Sequence, residues 1–436
     1  MSDFLRKRQV TVKCIMTIMV IFIAYLRLPE VLLEPRFWAE EGTSYFSYAY
    51  DHNWLVNLLS PQFGYNTLYN SIATSLATLA PLEYAPAVTT YLAFLVQLSV
   101  SAAAIWWDIP FLDSLPKKFA IAFFIQTLAY PRIWATTIGV QYWLCVLSLL
   151  ILLYNHNASN RKMFALQNCL LILNGLTGIL SCLLIPAFIL KSVKTKSREV
   201  MTHTAILIFC LLVQVAVFLR FFLGQDSSLQ SRFGDFDVLY VMSKMIRFLV
   251  TVPFYERYIF SSPFGQTLEI SFRKLLSSIT GPAIYSPKYD FYLLEMFLGL
   301  MTIFFLLVLT YKKIKQLDIQ SIAISIVSVT AVSTYFSVNS SGGPRYSFAP
   351  SIMIMLLVVS AVNDKTIPKF LSYIALILVT LSISVSLTHY RGNMRGGVAY
   401  DATWPKWKEE VKVWGIDHNY PIKIWPPPWT LSLSGK

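Results

Sequence analysis

Long apolar runs dominate this sequence and limit the folds that it can adopt. A helix needs about 20 apolar residues to cross the hydrocarbon core of a bilayer. Only 14% of the 436 residues are charged, against about 25% in a soluble domain. The sequence therefore predicts an all-α integral membrane protein, a polytopic bundle of about eleven transmembrane helices. The predicted spans are 10–28, 84–107, 117–131, 140–154, 163–176, 178–191, 203–223, 290–310, 318–337, 346–362 and 367–388.

The basic residues predict the orientation of these spans. The formal net charge is +13, but the lysines and arginines form small clusters between apolar runs, which is typical of a membrane topology signal and argues against a nucleic-acid partner. With the N-terminus inside the cell, the short cytoplasmic connections hold 17 Lys and Arg and the opposite connections hold 4. Cytoplasmic connections carry such an excess. We therefore expect a multi-pass protein with its N-terminus inside and its C-terminus outside.

The predicted domain organisation is a transmembrane domain over 1–388 followed by an exterior segment over 389–436. Its two long exterior connections are 29–83 and 224–289. Two apolar stretches in these connections are too short or too polar to span, and are predicted to be interfacial helices: they are 65–80 and 238–255. The C-terminal segment is rich in Trp and Pro. Because Trp favours the headgroup layer, the segment is predicted to form a small interfacial cap.

Two adjacent acids, Glu40 and Glu41, lie just past the outer end of the first predicted span. Adjacent residues of a helix do not face one another, so one carboxylate would face a cavity while the other makes a supporting bond. Phe37 and Trp38 would partly desolvate the pair and raise a carboxyl pKa, as a charged neighbour also does. Such a group can take a proton from a hydroxyl nucleophile. The alternative interpretation is a solvated acidic pair in a loop.

A second candidate site is the stretch 340–348, which contains paired glycines followed by Arg345 and Tyr346. A guanidinium is a planar cationic fork that suits a phosphate, and paired glycines let the backbone approach a ligand closely. Arg345 with a neighbouring tyrosine is equally typical of an anchor at the membrane interface.

A third candidate is the connection that carries Arg132, Gln141 and Trp143. Polar groups among aromatic rings are what a sugar-binding cleft needs, because they supply hydrogen bonds to hydroxyls and flat faces for the ring. An aromatic belt at the membrane interface is the alternative.

The remaining polar residues of the apolar runs support fewer conclusions. Glu295 is an intramembrane acid and therefore a functional candidate, although Arg220 or Lys288 could pair with it. The amides are predicted to join helices by hydrogen bonds; they are Gln97, Asn168, Asn174 and Gln214. The five cysteines fall in apolar runs without a CxxC motif, and the five histidines show no metal-ligand spacing. The sequence thus predicts no disulfide framework, no metal site and no cofactor.

Together these elements resemble the GT-C membrane glycosyltransferases, which use polyprenyl-phosphate-linked sugars. Members of that superfamily carry an acidic residue or pair in the first exterior loop, followed by interfacial helices. In this chain the matching stretches are Trp38-Ala39-Glu40-Glu41-Gly42 and the helix predicted from Gly64-Tyr65-Asn66. The stretch Gly342-Gly343-Pro344-Arg345-Tyr346 is similar to an exterior element of bacterial members, and residues 421–429 are similar to their C-terminal ending.

The resemblance implies an inverting glycosyltransferase at the outer face of a bacterial cytoplasmic membrane. The donor would be a sugar on a polyprenyl phosphate, and the acceptor a hydroxyl of a cell-envelope glycan such as lipopolysaccharide, a glycolipid or a protein. The expected catalytic acids are Glu40 and Glu41, with Glu40 the favoured base. The expected donor-phosphate ligands are Arg345, Arg36 and Arg132. The expected substrate contacts are Trp38, Tyr65, Asn66, Gln141, Trp143 and Tyr346.

Two other functions remain open from the sequence. One is a lipid-linked-sugar flippase or secondary transporter, although such proteins often contain internal repeats and midplane sites, and this chain shows no repeat. The other is an O-antigen polymerase or ligase, which as a class relies on Arg and His late in the chain. The predicted position of the polar groups at the outer surface argues against the transporter, and the acids of the first loop argue against the polymerase or ligase.

Overall fold

The structure is a computed structural model in which most described residues are helical. It describes residues 2–128, 133–156, 160–224, 246–255, 266–271, 274, 278, 293–339, 343–388 and 404–434. The chain forms two compact units: the first comprises Met1–Ser231 and Tyr390–Lys436, and the second Arg232–His389. The C-terminal segment thus belongs to the same unit as the connection 29–83.

The described helices of the first unit follow the apolar runs of its sequence. They are α1 (Ser2–Arg27), α2 (Pro29–Leu33), α3 (Ser47–Asp51), α4 (Trp54–Leu59), α5 (Leu68–Ala77), α6 (Ala85–Trp106), α7 (Leu115–Thr127), α8 (Val140–Leu153), α9 (Arg161–Gly175), α10 (Ile185–Thr195), α11 (Arg198–Leu223) and, in the C-terminal segment, α12 (Trp407–Ile416). Prolines stand in the first turn of α2, α6, α7 and α10, where the missing N–H has no helical partner to lose.

Each predicted span contains a helix, and the described helices include five that are long and apolar enough to cross a membrane: Arg8–Arg27, Ala85–Trp106, Arg198–Leu223, Leu294–Lys313 and Lys369–Leu387. The chain therefore has the character of an all-α membrane protein. The predicted span 178–191 differs most, because Gly178 has a positive φ of 81° and a 3-10 turn precedes α10. The predicted interfacial stretch 65–80 contains the ten-residue helix α5.

Buried amides join the helices of the first unit, as the sequence predicts for three of the four. Gln97 Nε2 donates to the Ile133 carbonyl at 3.2 Å. Asn174 Nδ2 donates to Ser148 Oγ at 2.8 Å. Gln214 Nε2 donates to two carbonyls, both at 3.1 Å. Each amide sits in a buried position, where a lost hydrogen bond costs more than in water.

The C-terminal segment packs onto the loop between α1 and α6. Helix α12 is followed by a two-stranded antiparallel hairpin, β1 (Ile422–Lys423) and β2 (Thr430–Leu431). Trp407, Trp414 and Trp425 are buried. Trp407 and Trp414 share a hydrophobic cluster with Phe37 and Phe46 of the loop. The tryptophans that predict a cap in the headgroup layer therefore pack largely inside the protein.

The second unit is also helical. Its described elements are a π-helix at Arg247–Thr251, α13 (Val252–Tyr255), α14 (Leu293–Lys313), α15 (Leu317–Asn339), a 3-10 turn at Gly343–Ser347, α16 (Phe348–Ala361) and α17 (Lys369–Thr388). Glu295 lies in this unit and accepts a hydrogen bond from Thr251 Oγ1 at 2.9 Å. The predicted interfacial stretch 238–255 is described only from residue 246.

Candidate functional site

The acidic pair sits in a tight turn that leads into a π-helix, Glu41–Phe46. Ala39 adopts a positive φ of 45°, and the Glu41 amide donates to the Trp38 carbonyl at 2.8 Å. Gly42 is required by packing, because a Cβ there would lie 2.9 Å from both Ile424 Cδ1 and Phe37 Cβ. Single π-turns are rare and occur often at functional sites. We call residues 38–42 the glutamate turn.

Glu41 is the buried member of the pair, with 1% of its surface exposed. Its Oε1 accepts from the backbone N–H of Thr137 at 2.8 Å and from the Thr137 hydroxyl. Its Oε2 accepts from the Trp38 N–H at 3.0 Å. Burial raises the pKa of the Glu41 carboxyl above its ordinary value, and these three hydrogen bonds act in the opposite direction. Glu41 therefore ties the turn to the segment that precedes α8.

The Thr137 partner is held in place by its own local structure. Thr136 caps the 3-10 turn Thr137–Gly139, its hydroxyl accepting from the Gly139 N–H at 3.2 Å. No residue larger than glycine fits at position 139, because a Cβ there would lie 2.6 Å from the Ile133 Cα. The sequence interpretation missed Thr137, which no motif singles out.

Glu40 differs from its neighbour in burial and in hydrogen bonding. It is half-buried, and within the described part of the chain its side chain makes no hydrogen bond or ion pair. The Glu40 charge acts on the Tyr45 hydroxyl. Glu40 is the carboxylate of the pair that can meet a ligand.

A buried polar cluster lies beside Glu40 and consists of Tyr45, Thr67 and Asn70. The exposed fractions of these residues are 2%, 6% and 2%. The side chains of Thr67 and Asn70 face the Tyr45 hydroxyl, and the half-buried Tyr65 acts on the same hydroxyl. Burial raises the pKa of Tyr45 well above its ordinary value, so its hydroxyl stays protonated and can donate a hydrogen bond. We call these three residues the hydroxyl cluster.

The loop that supplies Tyr65, Asn66 and Thr67 is fixed to the start of the α9–α10 connection. The Asn66 carbonyl accepts from the Gly178 N–H at 2.9 Å, and the Asn66 N–H donates to Gln214 Oε1 at 2.8 Å. Thr177 Oγ1 accepts from the Tyr69 N–H at 3.1 Å. The predicted substrate contacts Tyr65 and Asn66 therefore stand on a loop with a defined backbone.

Arg36, a predicted phosphate ligand, is fully engaged within the protein. It is buried and forms an ion pair with the buried Glu410. Its guanidinium also donates to the carbonyls of Lys423, at 2.6 Å, and Pro405, and lies over the rings of two tryptophans. The physical reason is that a buried guanidinium needs several partners to offset its desolvation, and the C-terminal segment supplies them. Arg36 thus holds that segment against the loop.

The predicted aromatic and amide contacts are also packed inside the protein. Trp38 is buried and pairs with Trp425 through a backbone bridge. Trp143 has no exposed surface, its Nε1 donates to the Ile133 carbonyl at 3.0 Å, and its ring meets Trp134 edge to face. The half-buried Gln141 packs against Gly178. These contacts describe packing roles, and no face of the Trp143 ring is open to a sugar.

The remaining predicted site residues are Arg132, Arg345 and Tyr346. Arg132 lies outside the described residues. Arg345 and Tyr346 belong to the second unit, where both are half-buried and the guanidinium lies 5.1 Å from the Tyr346 ring centre. Among the described residues, no group of three or more His, Cys, Asp and Glu could hold a metal ion. In comparisons with known proteins, no family model and no curated protein matches this chain.

Proposed function

We propose that this protein is an inverting glycosyltransferase that moves a sugar from a polyprenyl-phosphate donor to a hydroxyl acceptor, with Glu40 as the general base. The observation that carries the proposal is the difference in burial and hydrogen bonding between the two adjacent acids. Glu41 is occupied by three hydrogen bonds, whereas Glu40 is half-buried beside the hydroxyl cluster. A base must be reachable by the proton that it removes, and Glu40 meets that requirement.

In the proposed reaction the acceptor oxygen attacks the anomeric carbon and its proton passes to Glu40. The bond between that carbon and the phosphate oxygen breaks, and polyprenyl phosphate leaves with the electron pair. Arg345 and Arg132 remain the proposed groups that stabilise the charge on the departing phosphate. Arg36 is not proposed as a phosphate ligand, because its N–H groups already donate to Glu410 and to two carbonyls.

The proposed setting is the outer face of a bacterial cytoplasmic membrane, with a GT-C-like bundle of about eleven spans inserted N-terminus inside. Thiol labelling tests it at exposed positions. His52→Cys, close to the glutamate turn, should react with a membrane-impermeant maleimide on intact spheroplasts, and Lys194→Cys should react only after lysis. Both parent side chains are exposed. Labelling of His52→Cys only after lysis would place the acids on the cytoplasmic side and overturn the proposal.

The activity test uses the purified full chain with a panel of polyprenyl-phosphate monosaccharides and a mixed hydroxyl acceptor, and measures release of sugar-free lipid phosphate. Glu40→Gln should lower turnover by at least about a hundredfold, the usual contribution of general base catalysis. Glu34→Gln is the matched control, because Glu34 lies in the same loop and is partly exposed. Normal turnover by Glu40→Gln overturns the assignment. Movement of lipid-linked sugar across sealed vesicles without a new glycosidic bond would indicate a transporter instead.

A further inference from the structure

Exposed cations gather at one end of the helices α9, α10 and α11. Helix α9 begins with Arg161 and Lys162. Helix α11 begins with Arg198, and Lys196 lies in the short connection between α10 and α11. These side chains are exposed, and none of them forms an ion pair within the described part of the chain. We call these four residues the basic cluster.

The packing of the three helices brings their charged ends together. The Phe164 ring of α9 lies 5.5 Å from the His203 ring of α11, centre to centre. Further along both helices, Gln214 Nε2 donates to the Gly175 carbonyl at 3.1 Å. Helices α9 and α11 therefore run side by side in the same direction, and both begin at this end. Helix α10 packs against α11 and ends at Thr195, close to the first residue of α11.

The protein does not neutralise the basic cluster, although it engages other lysines of the first unit. Lys118 and Lys191 each donate to a backbone carbonyl at 2.5 Å. Glu199 is the one acid between positions 160 and 200 of the sequence, and its carboxylate accepts from Ser197 Oγ at 2.7 Å. Like charges that share a surface repel one another. An anion bound among these cations would relieve that repulsion.

Exposed apolar side chains follow the basic cluster along the same three helices. Leu166 of α9 is 49% exposed, Val193 of α10 69% and Met201 of α11 55%. Helix α11 is long and apolar enough to cross a membrane. The surface is thus charged at the helix ends and apolar beside them. A phospholipid has the same order of groups, with a phosphate at the membrane surface and acyl chains next to it, whereas a free phosphate ion has no apolar part.

We propose that the basic cluster binds the headgroup phosphate of an anionic phospholipid whose acyl chains lie against the apolar residues of these helices. Guanidinium forks match phosphate oxygens, and ammonium groups add point charges. The cluster lies at the start of α9, whereas Gly175 at its other end shares Gln214 with the Asn66 loop. Helix α9 is about 22 Å long, so lipid binding at its start does not depend on the proposed function.

Native mass spectrometry of the full-length protein in detergent tests the site. The protein is titrated with phosphatidylglycerol, with phosphatidylcholine of the same acyl chains, and with inorganic phosphate. Phosphatidylglycerol should bind more tightly than phosphatidylcholine, because each Lys or Arg near an anionic headgroup adds about fivefold in affinity. The double variant Arg161→Gln with Lys162→Gln should weaken phosphatidylglycerol binding by about 25-fold and leave phosphatidylcholine binding unchanged. Lys196→Gln with Arg198→Gln should have the same effect.

The matched control is Lys408→Gln with Lys412→Gln, which removes two exposed cations from α12. Unfolding temperatures without lipid should stay close to that of the parent in all three double variants, because the substituted side chains are exposed. An equal loss of binding in the control would mean that phosphatidylglycerol responds only to net charge, and the site would be wrong. Unchanged binding in both cluster variants would also overturn it. Binding of inorganic phosphate at the same concentrations would overturn the lipid assignment.

Discussion

The two ends of helix α8 treat buried polar groups in opposite ways. Before its first residue, Thr137 gives two hydrogen bonds to the buried Glu41. Past its last residue, the ring of His156 lies 5.3 Å from the ring of His203, centre to centre, and neither ring makes a hydrogen bond of normal geometry within the described residues. Both ends bury an ionisable group, but only the end at Thr137 supplies hydrogen bonds that offset the lost hydration.

The end at Thr137 is a hydrogen-bonded polar site, whereas the end at His156 is a pair of packed imidazole rings. Burial lowers the pKa of His156 to about 4, and the Lys191 ammonium acts in the same direction. His156 is therefore uncharged at neutral pH and packs as an aromatic ring against Tyr154. Near the glutamate turn, by contrast, Arg36 and Glu410 form a charged pair that remains buried. We propose chemistry at the end of α8 where the buried carboxylate has hydrogen-bond donors.

Breaking the Arg36–Glu410 pair should have the largest effect on stability. Glu410→Ala leaves a buried guanidinium without its carboxylate, which costs about 3–5 kcal/mol. We expect earlier thermal unfolding of the detergent-solubilised protein and faster proteolysis of the C-terminal segment. The double variant Arg36→Met with Glu410→Leu should recover much of the loss, because it removes both charges.

The pair between Lys406 and Glu34 is the matched control. It is long, at 3.8 Å, and the Lys406 and Glu34 side chains are 70% and 38% exposed, so Glu34→Gln should change stability by less than about 1 kcal/mol. Equal unfolding temperatures for Glu410→Ala and Glu34→Gln would show that the buried pair does not hold the segment.

Neighbouring substitutions in the glutamate turn should separate stability from turnover. Glu41→Ala leaves the N–H groups of Trp38 and Thr137 and the Thr137 hydroxyl without their acceptor. This should lower the free energy of unfolding by about 2–4 kcal/mol. Glu40→Ala removes no hydrogen bond that the described residues make, so its thermal unfolding should match the parent while transfer is lost. Unfolding temperature and initial rate are measured on the same preparations. A Glu40→Ala protein that is less stable than Glu41→Ala would reverse the roles of the two acids.

Much of this architecture is predictable from local sequence, but the partners of its charges are not. Apolar run lengths locate the helices, and the position of the acids after α1 locates the candidate site. Which acid is buried depends on Thr137, 96 residues further along the chain. Arg36 resembles a phosphate ligand until Glu410 meets it from 374 residues away. No local pattern contains either contact, because both form only when distant segments pack together.

The smallest expected effect concerns the pH dependence at the histidine end of α8. Between pH 4 and 6.5 the unfolded chain binds a proton at His156 that the folded protein does not. Stability therefore rises with pH across this window, and the contribution is lost as the pH falls through it. His156→Phe should remove about 1–3 kcal/mol of the difference in unfolding free energy between pH 4 and pH 7. Thermal unfolding measured from pH 4 to pH 7 tests this expectation. His52→Phe, a substitution at an exposed histidine, is the control. The raised pKa of Glu41 acts with the opposite sign, because a group whose pKa is higher in the folded than in the unfolded protein makes stability fall as the pH rises. A pH slope that is unchanged in His156→Phe would mean that the ring is hydrated in the folded protein, and the contrast between the two ends of α8 would then fail.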